Sequence, residues 1–396
     1  MIRRLMIIAG EASGDAHGAG VVHELKKRAP DLEIFGIGGD KMEREGMTLT
    51  FHVREMSFMG FVEVLKHLPL IRRVERTLEG LLQTSKPDAV LLIDYPGFNL
   101  RFARIAKNYG VKVYYYISPQ VWAWKKGRLK KMPGLIDKMM VILPFEERLY
   151  REHGIPVEFV GHPLLEEMHV DESRDEFCAK FGIDPGRRIV ALIPGSRIQE
   201  IDSLFPVMLE AAEQLRKKYP IEIAVAAAPN IPVTIYRSMA LAHPDGARAN
   251  SDASEGPVHP DLPLKIVENS THALMKFAHC AMVTSGTATL ETGCFATPMV
   301  VVYKTSWITY WLARLVVRIN MIALVNIVAG KKVVPELIQH EANADAIASV
   351  IEDYLTDDAL YNSVRDELAR TMHTLGDAGA SRKVAECILG ADAAQA

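Results

Sequence analysis

Several titratable side chains in the first half of the chain have the types and spacing that proton-transfer chemistry needs. Glu11, Asp15 and His17 lie within seven residues of one another, in a glycine-rich stretch that follows an apolar run. Asp94 directly follows a later apolar run, Ala89–Ile93. An aspartate at the carboxyl tip of a buried strand has apolar surroundings, which raise its pKa toward that of a useful general base. Asp94 is therefore the first candidate for a base, and Glu11, Asp15 and His17 are the alternatives.

These residues also have an ordinary structural interpretation. Ser13 or Asp15 could cap a helix over residues 16–25, and Asp94 could form an Asx turn before a helix at Leu100. One cap does not require three titratable groups together, and Asn99 could cap the later helix without Asp94. The sequence favours function at both places and leaves the capping roles open.

A turn in the second half of the chain has the composition of a phosphate-binding turn. Gly195, Ser196 and Arg197 follow an apolar run and lead into a helical pattern. Glycine lets the backbone approach an anion, the start of a helix offers N–H groups, and a guanidinium adds a planar set of donors. The structural alternative is a helix cap beside a surface arginine.

A second turn of the same kind contains Ser285, Gly286 and Thr287, with Glu291 one helical turn further on. A carboxylate at that position could accept hydrogen bonds from both hydroxyls of a ribose. The structural alternative is a capping box, for which the spacing is one residue too long. Because α/β sheets bind nucleotides at the carboxyl ends of strands, the two turns together predict a nucleotide site. No Asp-x-Asp pair ends a strand, so we expect neither a metal nor another cofactor.

Two stretches with apolar or aromatic residues beside cations could meet a lipid surface. Residues 56–71 are more apolar than a one-sided helix needs and are followed by three arginines, yet they are too short to span a bilayer. Residues 118–131 place two tryptophans beside a basic run. A buried helix with a solvated end is the alternative for the first stretch. The residues expected to face an acceptor or a membrane are Phe58, Met59, Phe61, Val62, Leu65, Trp122, Trp124, Lys125 and Lys126.

Strands and helices that alternate along the chain must position all of these groups, which is typical of parallel α/β sheets. The first series of predicted strands is Leu5–Ala9, Glu33–Ile37, Ala89–Ile93, Lys112–Tyr116 and Lys138–Ile142. The second series is Ile189–Ile193, Ile221–Ala226, Leu264–Val267, Cys280–Thr284 and Pro298–Val302. We therefore expect two doubly wound halves that meet near residues 160–175, a surface loop over residues 240–262, and helical structure from about residue 342.

Length, charge and cysteine usage limit the class of protein. A chain of 396 residues exceeds one compact core, so two domains are expected. The net charge of −3 argues against a general nucleic-acid-binding protein. Four cysteines without CxxC spacing indicate reduced thiols. The short apolar start lacks the features of a signal peptide, so we expect the protein to remain inside the cell.

Eight motifs in one order resemble those of the lipid-A-disaccharide synthases. They are GEASGD at 10–15, IDYPGFN at 93–99, SPQVWAW at 118–124, GHP at 161–163, PGSR at 194–197, SGTATLE at 285–291, PMVVVYK at 298–304 and VNIVAG at 325–330. They cover nearly the whole chain, and together they are highly specific. The resemblance implies a GT-B fold, in which two Rossmann-like domains face an interdomain cleft and a helical C-terminal tail crosses back to the first domain.

The resemblance also implies the domains and the reaction. Residues 1–168, with the helices from about 357 to 396, would form the acceptor and membrane-facing domain, and residues 169–356 the UDP-sugar domain. The enzyme would transfer 2,3-diacylglucosamine from UDP, with inversion, to the 6-hydroxyl of 2,3-diacylglucosamine 1-phosphate. Asp94 would be the base, and the two turns with Glu291 and Asn326 would hold UDP. The partners would be these substrates and the cytoplasmic face of the bacterial inner membrane, and a homodimer is left open.

Three other functions stay open from the sequence. A UDP-N-acetylglucosamine 2-epimerase would share the fold but would not need the apolar stretch at 56–71. Another lipid-directed transferase, such as the polyprenyl-diphosphate GlcNAc transferase, would differ in the acceptor headgroup. A non-catalytic nucleotide-sugar sensor would bind UDP but lose nothing when Asp94 is replaced.

Overall fold

The chain forms two compact units, each built around one parallel sheet. A computed structural model describes residues 2–56, 68–122, 126–241, 263–305 and 321–390. The first unit contains the described residues of Met1–Glu166 and Leu375–Ala396, and the second contains those of Glu167–Thr374.

The first unit has a seven-stranded sheet with the order β3-β2-β1-β4-β5-β6-β7. Its strands are β1 (Arg4–Ala9), β2 (Glu33–Gly38), β3 (Thr48–His52), β4 (Ala89–Ile93), β5 (Lys112–Tyr116), β6 (Lys138–Val141) and β7 (Val157–Phe159). Its helices up to residue 152 are α1 (Ala12–Arg28), α2 (Asp40–Arg44), α3 (Leu68–Thr84), α4 (Pro96–Asn108) and α5 (Pro144–Glu152). All neighbouring strands run parallel.

Both faces of this sheet are buried, which explains why its central strands are continuous apolar runs. In β1, Leu5, Ile7 and Ala9 enter the core on one face, while Met6 and Ile8 enter the core on the other. Successive side chains of a strand point to opposite faces, so a strand covered on both sides has no position for a polar residue. Polar side chains are therefore displaced to the strand ends, where the candidate site lies.

The second unit has a six-stranded parallel sheet with the order β10-β9-β8-β11-β12-β13. Its strands are β8 (Arg188–Ile193), β9 (Ile221–Ala227), β10 (Leu264–Glu268), β11 (Cys280–Thr284), β12 (Met299–Tyr303) and β13 (Glu336–Ile338). Its helices are α6 (Arg174–Phe181), α7 (Ile198–Lys218), α8 (Val233–Ala240), α9 (Thr271–Phe277), α10 (Thr287–Cys294), α11 (Leu324–Ala329), α12 (Ala344–Thr356) and α13 (Asp358–His373).

The last described helix, α14 (Ala380–Leu389), belongs to the first unit. It packs on α1 and adds Val384, Ala385 and Ile388 to one of that unit's cores. The sequence placed the return to the first unit at about residue 357, whereas the structure has it at Leu375 because α13 packs against α10 in the second unit. Two parallel α/β sheets and a helical C-terminal tail confirm the predicted fold class.

Candidate active site

In the first unit, the predicted base lies where the strand order of the sheet reverses. From β1 the chain goes to β2 and β3 on one side, and then returns to β4 on the other side of β1. Ligands bind open α/β sheets in the crevice at such a reversal, outside the carboxyl ends of the strands. Asp94 follows β4 and Glu11 follows β1. We refer to the place between β1 and β4 as the first switch point.

Asp94 is held in an uncommon backbone conformation. Asp94 and Tyr95 both have φ of +46°, which is the left-handed region that residues other than glycine seldom adopt. The Asp94 carbonyl oxygen accepts hydrogen bonds from the Asn99 amide at 2.7 Å and from the Tyr115 hydroxyl at 2.6 Å. The Asp94 N–H donates to the Tyr116 carbonyl oxygen at 3.0 Å. These hydrogen bonds fix the main chain of Asp94 through its own N–H and C=O groups, and none of them uses the side-chain carboxyl.

The surroundings of Asp94 give it the proton affinity of a base that works near neutral pH. Burial, and after it the nearby negative charge of Glu11, raise the pKa of Asp94 to about 6. The Tyr95 ring lies against Gly10, since a Cβ added at Gly10 would lie 2.3 Å from that ring. A carboxyl with this pKa accepts a proton more readily than an ordinary aspartate, yet it is largely ionised at pH 7.

Asp15, one of the alternative bases, is engaged in holding the fold. Its side chain is 6% exposed and accepts hydrogen bonds from the backbone N–H groups of Gly39 at 2.7 Å, Met42 at 3.1 Å and Lys41 at 3.2 Å. These N–H groups belong to the start of α2 and need such an acceptor. Asp15 therefore caps the neighbouring helix α2, whereas the sequence pattern had suggested a cap of the helix over residues 16–25, which is part of α1.

The two remaining alternatives lie near the first switch point in different settings. Glu11 is exposed at the N-cap position of α1, where its side chain makes no capping hydrogen bond. His17 is half-buried in α1 and lies close to His162. Burial, and then the charge of His17, lower the pKa of His162 to about 4, so His162 is neutral at pH 7. Its Nδ1 accepts the Leu164 N–H at 3.2 Å, which places the ring proton on Nε2.

A buried carboxylate that the sequence analysis missed lies beyond β6. Glu146 is 2% exposed and accepts hydrogen bonds from the Ser118 hydroxyl at 2.7 Å, the Trp122 Nε1–H at 3.1 Å and the Leu143 N–H at 3.2 Å. Burial raises the pKa of Glu146 to about 7. Glu146 therefore joins the start of α5 to the segment that follows β5. In the sequence, Glu146 stands three residues after Leu143 at the start of a helix. That spacing indicates a capping glutamate and gives no sign that the side chain is buried.

Of the residues expected to face an acceptor or a membrane, only Trp122 is fully described. Its ring lies edge-on to Phe145 with ring centres 5.4 Å apart, and its N–H is held by Glu146. Lys126 begins a short 3₁₀ helix that ends at Lys131. The others lie outside the described residues: Phe58, Met59, Phe61, Val62, Leu65, Trp124 and Lys125.

In the second unit, both predicted phosphate turns lie at the corresponding reversal of strand order. From β8 the chain goes to β9 and β10 on one side and returns to β11 on the other side of β8. The turn Gly195–Arg197 follows β8 and leads into α7, and the turn Ser285–Thr287 follows β11 and leads into α10. We refer to this place as the second switch point. The sequence predicted that the two turns form one nucleotide site, and in the structure the strands that precede them, β8 and β11, are neighbours in the sheet.

The first of these turns presents backbone N–H groups and a guanidinium at the start of a long helix. Gly195 has φ of +110°, a conformation that favours glycine. Arg197 is the N-cap residue of α7, and its side chain is 66% exposed. The Ser196 carbonyl oxygen accepts a hydrogen bond from the Asn230 side chain at 3.0 Å, which fixes the peptide that carries the Arg197 N–H.

The second turn is held more tightly. The Ser285 hydroxyl donates to the Ile322 carbonyl oxygen at 3.0 Å, and the Ser285 N–H donates to the Val302 carbonyl oxygen at 3.1 Å. Gly286 and Thr287 then start α10, so the helix N-terminus rather than the serine side chain faces the second switch point.

Glu291 lies on the same face of α10 as Thr287, as the spacing predicts, and a hydrogen bond from Thr287 reaches its carboxylate. Burial raises the pKa of Glu291 above its usual range, while the imidazole of His272, 3.9 Å away, and the Thr287 hydrogen bond oppose the shift. A half-buried carboxyl beside a helix start is suited to accept hydrogen bonds from the hydroxyls of a ligand.

Asn326 makes all its hydrogen bonds within the protein. It is fully buried, and its amide donates to the Val334 carbonyl oxygen at 2.9 Å and to Glu336 at 2.8 Å. Its oxygen accepts the N–H groups of Val333 at 2.8 Å and Val334 at 3.0 Å. The side chain has no donor left for a ligand. Asn326, which the sequence analysis placed among UDP-binding residues, therefore holds the segment before β13.

Two features are absent from the described parts of the chain. Among those residues, no group of three or more His, Cys, Asp or Glu side chains is placed to hold a metal ion. No helix in the described ranges has both the length and the apolar composition that crossing a bilayer requires.

Comparison with known proteins gives a consistent result over nearly the whole chain. A model of the lipid-A-disaccharide synthetase family matches residues 5–388. The lipid-A-disaccharide synthase of Geobacter sulfurreducens is 44% identical over 386 residues, which are 98% of this chain and 96% of that protein. The lipid-A-disaccharide synthase of Myxococcus xanthus is 38% identical over 387 residues, with 98% and 97% covered.

Solved structures of much lower identity share the fold. A putative UDP-N-acetylglucosamine 2-epimerase from Listeria monocytogenes has a TM-score of 0.64 at 13% identity and covers 98% of this chain and 96% of its own. The calicheamicin glycosyltransferase CalG4 has a TM-score of 0.61 at 14% identity, with 99% of both chains covered. At these identities the likeness shows a GT-B fold and does not distinguish an isomerase from a transferase.

Proposed function

This chain belongs to the lipid-A-disaccharide synthase family, and from that premise we propose how its residues carry the family's glycosyl transfer. The donor is UDP-2,3-diacylglucosamine, and the acceptor is 2,3-diacylglucosamine 1-phosphate. The products are the β-1,6-linked disaccharide 1-phosphate and UDP. The observation that carries the proposal is the half-buried Asp94 carboxyl at the first switch point, whose pKa of about 6 suits a general base.

The proton of the attacking hydroxyl goes to Asp94 in this mechanism. As the acceptor 6-hydroxyl oxygen attacks the anomeric carbon from the face opposite UDP, the Asp94 carboxylate accepts its proton. The oxygen–carbon bond forms while the bond from the anomeric carbon to the diphosphate oxygen breaks. Glu11 keeps a second negative charge near Asp94 and so supports its basicity. Asn99 and Tyr115 hold the Asp94 carbonyl oxygen and so position the carboxylate.

The negative charge that develops on the leaving UDP is stabilised at the second switch point. Arg197 supplies a guanidinium, and the starts of α7 and α10 supply the positive ends of two helix dipoles. Glu291 accepts hydrogen bonds from the ribose hydroxyls. This set of fixed positive groups performs the task that a divalent cation performs in other transferases, so we expect turnover in the presence of a chelator.

We further infer that the protein binds the cytoplasmic face of the bacterial inner membrane as a peripheral protein. Both substrates carry acyl chains, so the enzyme must reach them at a lipid surface. Arg72, Arg73 and Arg76 on α3 are exposed directly after the apolar stretch 56–71, and Lys130 and Lys131 are exposed after the tryptophan segment. Cations of this kind bind the phosphates of anionic lipids.

A transfer assay with both diacylated substrates tests the proposal. Purified protein in EDTA is expected to form the disaccharide 1-phosphate and UDP in equal amounts. Conversion of UDP-N-acetylglucosamine in the absence of any acceptor would favour the 2-epimerase alternative. Strict dependence of turnover on added magnesium would contradict the role given to Arg197 and the two helix starts.

A further inference from the structure

A carboxylate of the protein itself occupies the first phosphate turn. The Glu200 Oε2 atom lies 3.3 Å from the Ser196 backbone nitrogen and 3.4 Å from that of Arg197, and both N–H groups donate to it. The Arg197 guanidinium donates to the Glu200 Oε1 atom at 3.0 Å. The Ser196 and Arg197 N–H groups and one nitrogen of the Arg197 guanidinium, which we assign to the diphosphate, therefore already bind an anionic group.

The backbone of the turn is shaped around that carboxylate. A Cβ added at Gly195 would lie 2.5 Å from Glu200 Oε2, well inside contact distance. The space over the turn thus admits one oxygen atom and no side chain at position 195. The same space is the one that a phosphate oxygen would need in order to reach the two N–H groups.

Part of this contact is ordinary helix capping. A glutamate three residues after the N-cap commonly binds the N-cap N–H, and the pair Arg197 and Glu200 has that spacing. Even as a cap, however, the Glu200 carboxylate affects the binding of an anionic ligand at this turn. A backbone N–H carries a single hydrogen and cannot serve two anions well at once, and two like charges a few ångströms apart repel each other.

We propose that Glu200 is an internal competitor of the donor's diphosphate, which leaves the turn when UDP-sugar binds and returns when UDP departs. The inference rests on the proposed function of this turn. The Glu200 side chain is 20% exposed, so it has a path by which to turn toward water. Its return supplies the N–H groups and Arg197 with a replacement partner, which weakens the hold on the product.

The substitution Glu200→Gln separates this role from capping. Glutamine keeps the shape and can still cap the helix N-terminus, since both Glu and Gln serve at this position, but it removes the charge. If Glu200 were only a cap or a support for Arg197, its substitution would leave the affinity for UDP unchanged or lower it. If Glu200 competes with the diphosphate, the affinity rises, so the sign of the change decides.

The experiment is isothermal calorimetry of UDP binding to the full chain. Glu200→Gln is expected to bind UDP about tenfold more tightly than wild type, which is about 1.4 kcal/mol. Asp202→Asn is the matched control, because Asp202 is exposed on α7 two residues beyond Glu200, and its substitution removes the same charge from the same helix without changing the Gly195–Arg197 turn. It is expected to change the affinity less than twofold.

Two outcomes would overturn the inference, and they are distinguishable. Wild type that binds UDP while Glu200→Gln binds it equally or more weakly would remove the competitor role and leave the UDP site standing. Wild type without affinity for UDP would remove both. Glu200→Ala, compared by thermal unfolding with wild type, supplies a second uncharged variant in case the glutamine variant folds poorly. Like Glu200→Gln, it is expected to bind UDP more tightly than wild type.

Discussion

The two switch points have the same topology and opposite chemistry. In each unit a central strand begins the sheet, two strands follow on one side, and the chain then returns to the other side, between β1 and β4 or between β8 and β11. At the first switch point the residues that follow the strands are acids, Glu11 and Asp94. At the second, they are a glycine turn with Arg197 and the start of α10. The fold fixes where a site forms, and the few residues after each strand decide what it does.

The two switch points differ in the kind of charge that each one stabilises. At the first switch point a left-handed pair, Asp94 and Tyr95, places a carboxyl in partly buried surroundings, and burial makes that carboxyl a proton acceptor. At the second, Gly195 opens space above the backbone N–H groups, so an anion is stabilised there. The acids at the first switch point would repel a diphosphate, and the positive groups at the second switch point would lower the pKa of a carboxylate placed there, which would make it a poor general base.

The largest expected effect comes from Asp94→Asn at the first switch point. Asparagine tolerates left-handed φ, so the backbone should be retained while the proton acceptor is lost. We expect kcat to fall about 10³-fold, the scale of general base catalysis, with little change in KM for the donor. Steady-state kinetics with both substrates measure this.

Asp15→Asn supplies the contrast within the same unit. Both carboxylate oxygens of Asp15 accept backbone N–H groups of α2, and asparagine keeps only one such acceptor. The substitution should therefore lower the free energy of unfolding by about 1 kcal/mol, and the melting temperature with it. Turnover per folded molecule should stay within a few-fold of wild type. If Asp15→Asn abolished turnover in folded protein while Asp94→Asn kept it, the base would be Asp15.

At the second switch point, Arg197→Ala should act on the leaving group and spare the base. The loss of one charged donor to a developing anion costs about 10²-fold in rate. We expect kcat to fall and UDP affinity to weaken, while the dependence of rate on pH near 6 stays the same. Arg237→Ala, at an exposed arginine of α8, is the control and should behave as wild type. An unchanged affinity for UDP in Arg197→Ala would show that the second turn or another region binds the diphosphate.

Much of the fold could be predicted from the sequence because the central strands are buried on both faces. All ten predicted strands are present, and their ends differ by at most one residue from those found. Among the described residues, three strands were not predicted, β3, β7 and β13, and each lies at the edge of a sheet. Edge strands are short and half-exposed, so they lack the continuous apolar run that identified the others.

The candidate site was predictable where a residue follows a strand directly, and less so where its partners are distant in sequence. Asp94 and Arg197 were identified by position alone. The partners of Asp15 are 24 to 27 residues away, and those of Asn326 lie in a segment without any motif, so their capping and holding roles could not be read from local pattern. Glu146 was missed because burial of an acid depends on Ser118 and Trp122, which the sheet brings to it from the preceding strand.

Glu146 is a second acid of the first unit whose pKa is raised by burial, as that of Asp94 is. We expect its ionisation to change the stability of the fold with pH. Its pKa is about 7 in the fold, against 4.5 for a free glutamate, so between these pH values the folded state holds a proton that the unfolded state has lost. Wild-type stability should therefore fall as pH rises from 5.5 to 8, by about 2 kcal/mol from this group. Glu146→Gln cannot ionise and should lack that component.

Urea unfolding followed by tryptophan fluorescence at both pH values measures the difference. Glu147→Gln, at the next position and paired with Arg151, is the control and should follow wild type. Equal pH dependence in wild type and Glu146→Gln would mean that Glu146 ionises normally in the fold, and that the Ser118 and Trp122 hydrogen bonds offset its burial.

The smallest effect is expected from Glu11→Gln, which tests whether burial or charge makes Asp94 basic. Burial is the larger cause of the raised pKa of Asp94, and the Glu11 charge is the second. Removal of that charge should move the acidic limb of the kcat/KM profile to lower pH by less than one unit, while the maximal rate stays within a few-fold. Glu43→Gln, at an exposed acid of α2, should leave the limb in place. A fall in maximal rate of several hundred-fold in Glu11→Gln would instead make Glu11 the proton acceptor, and the first switch point would then resemble the second in using the residue at a helix start for its chemistry.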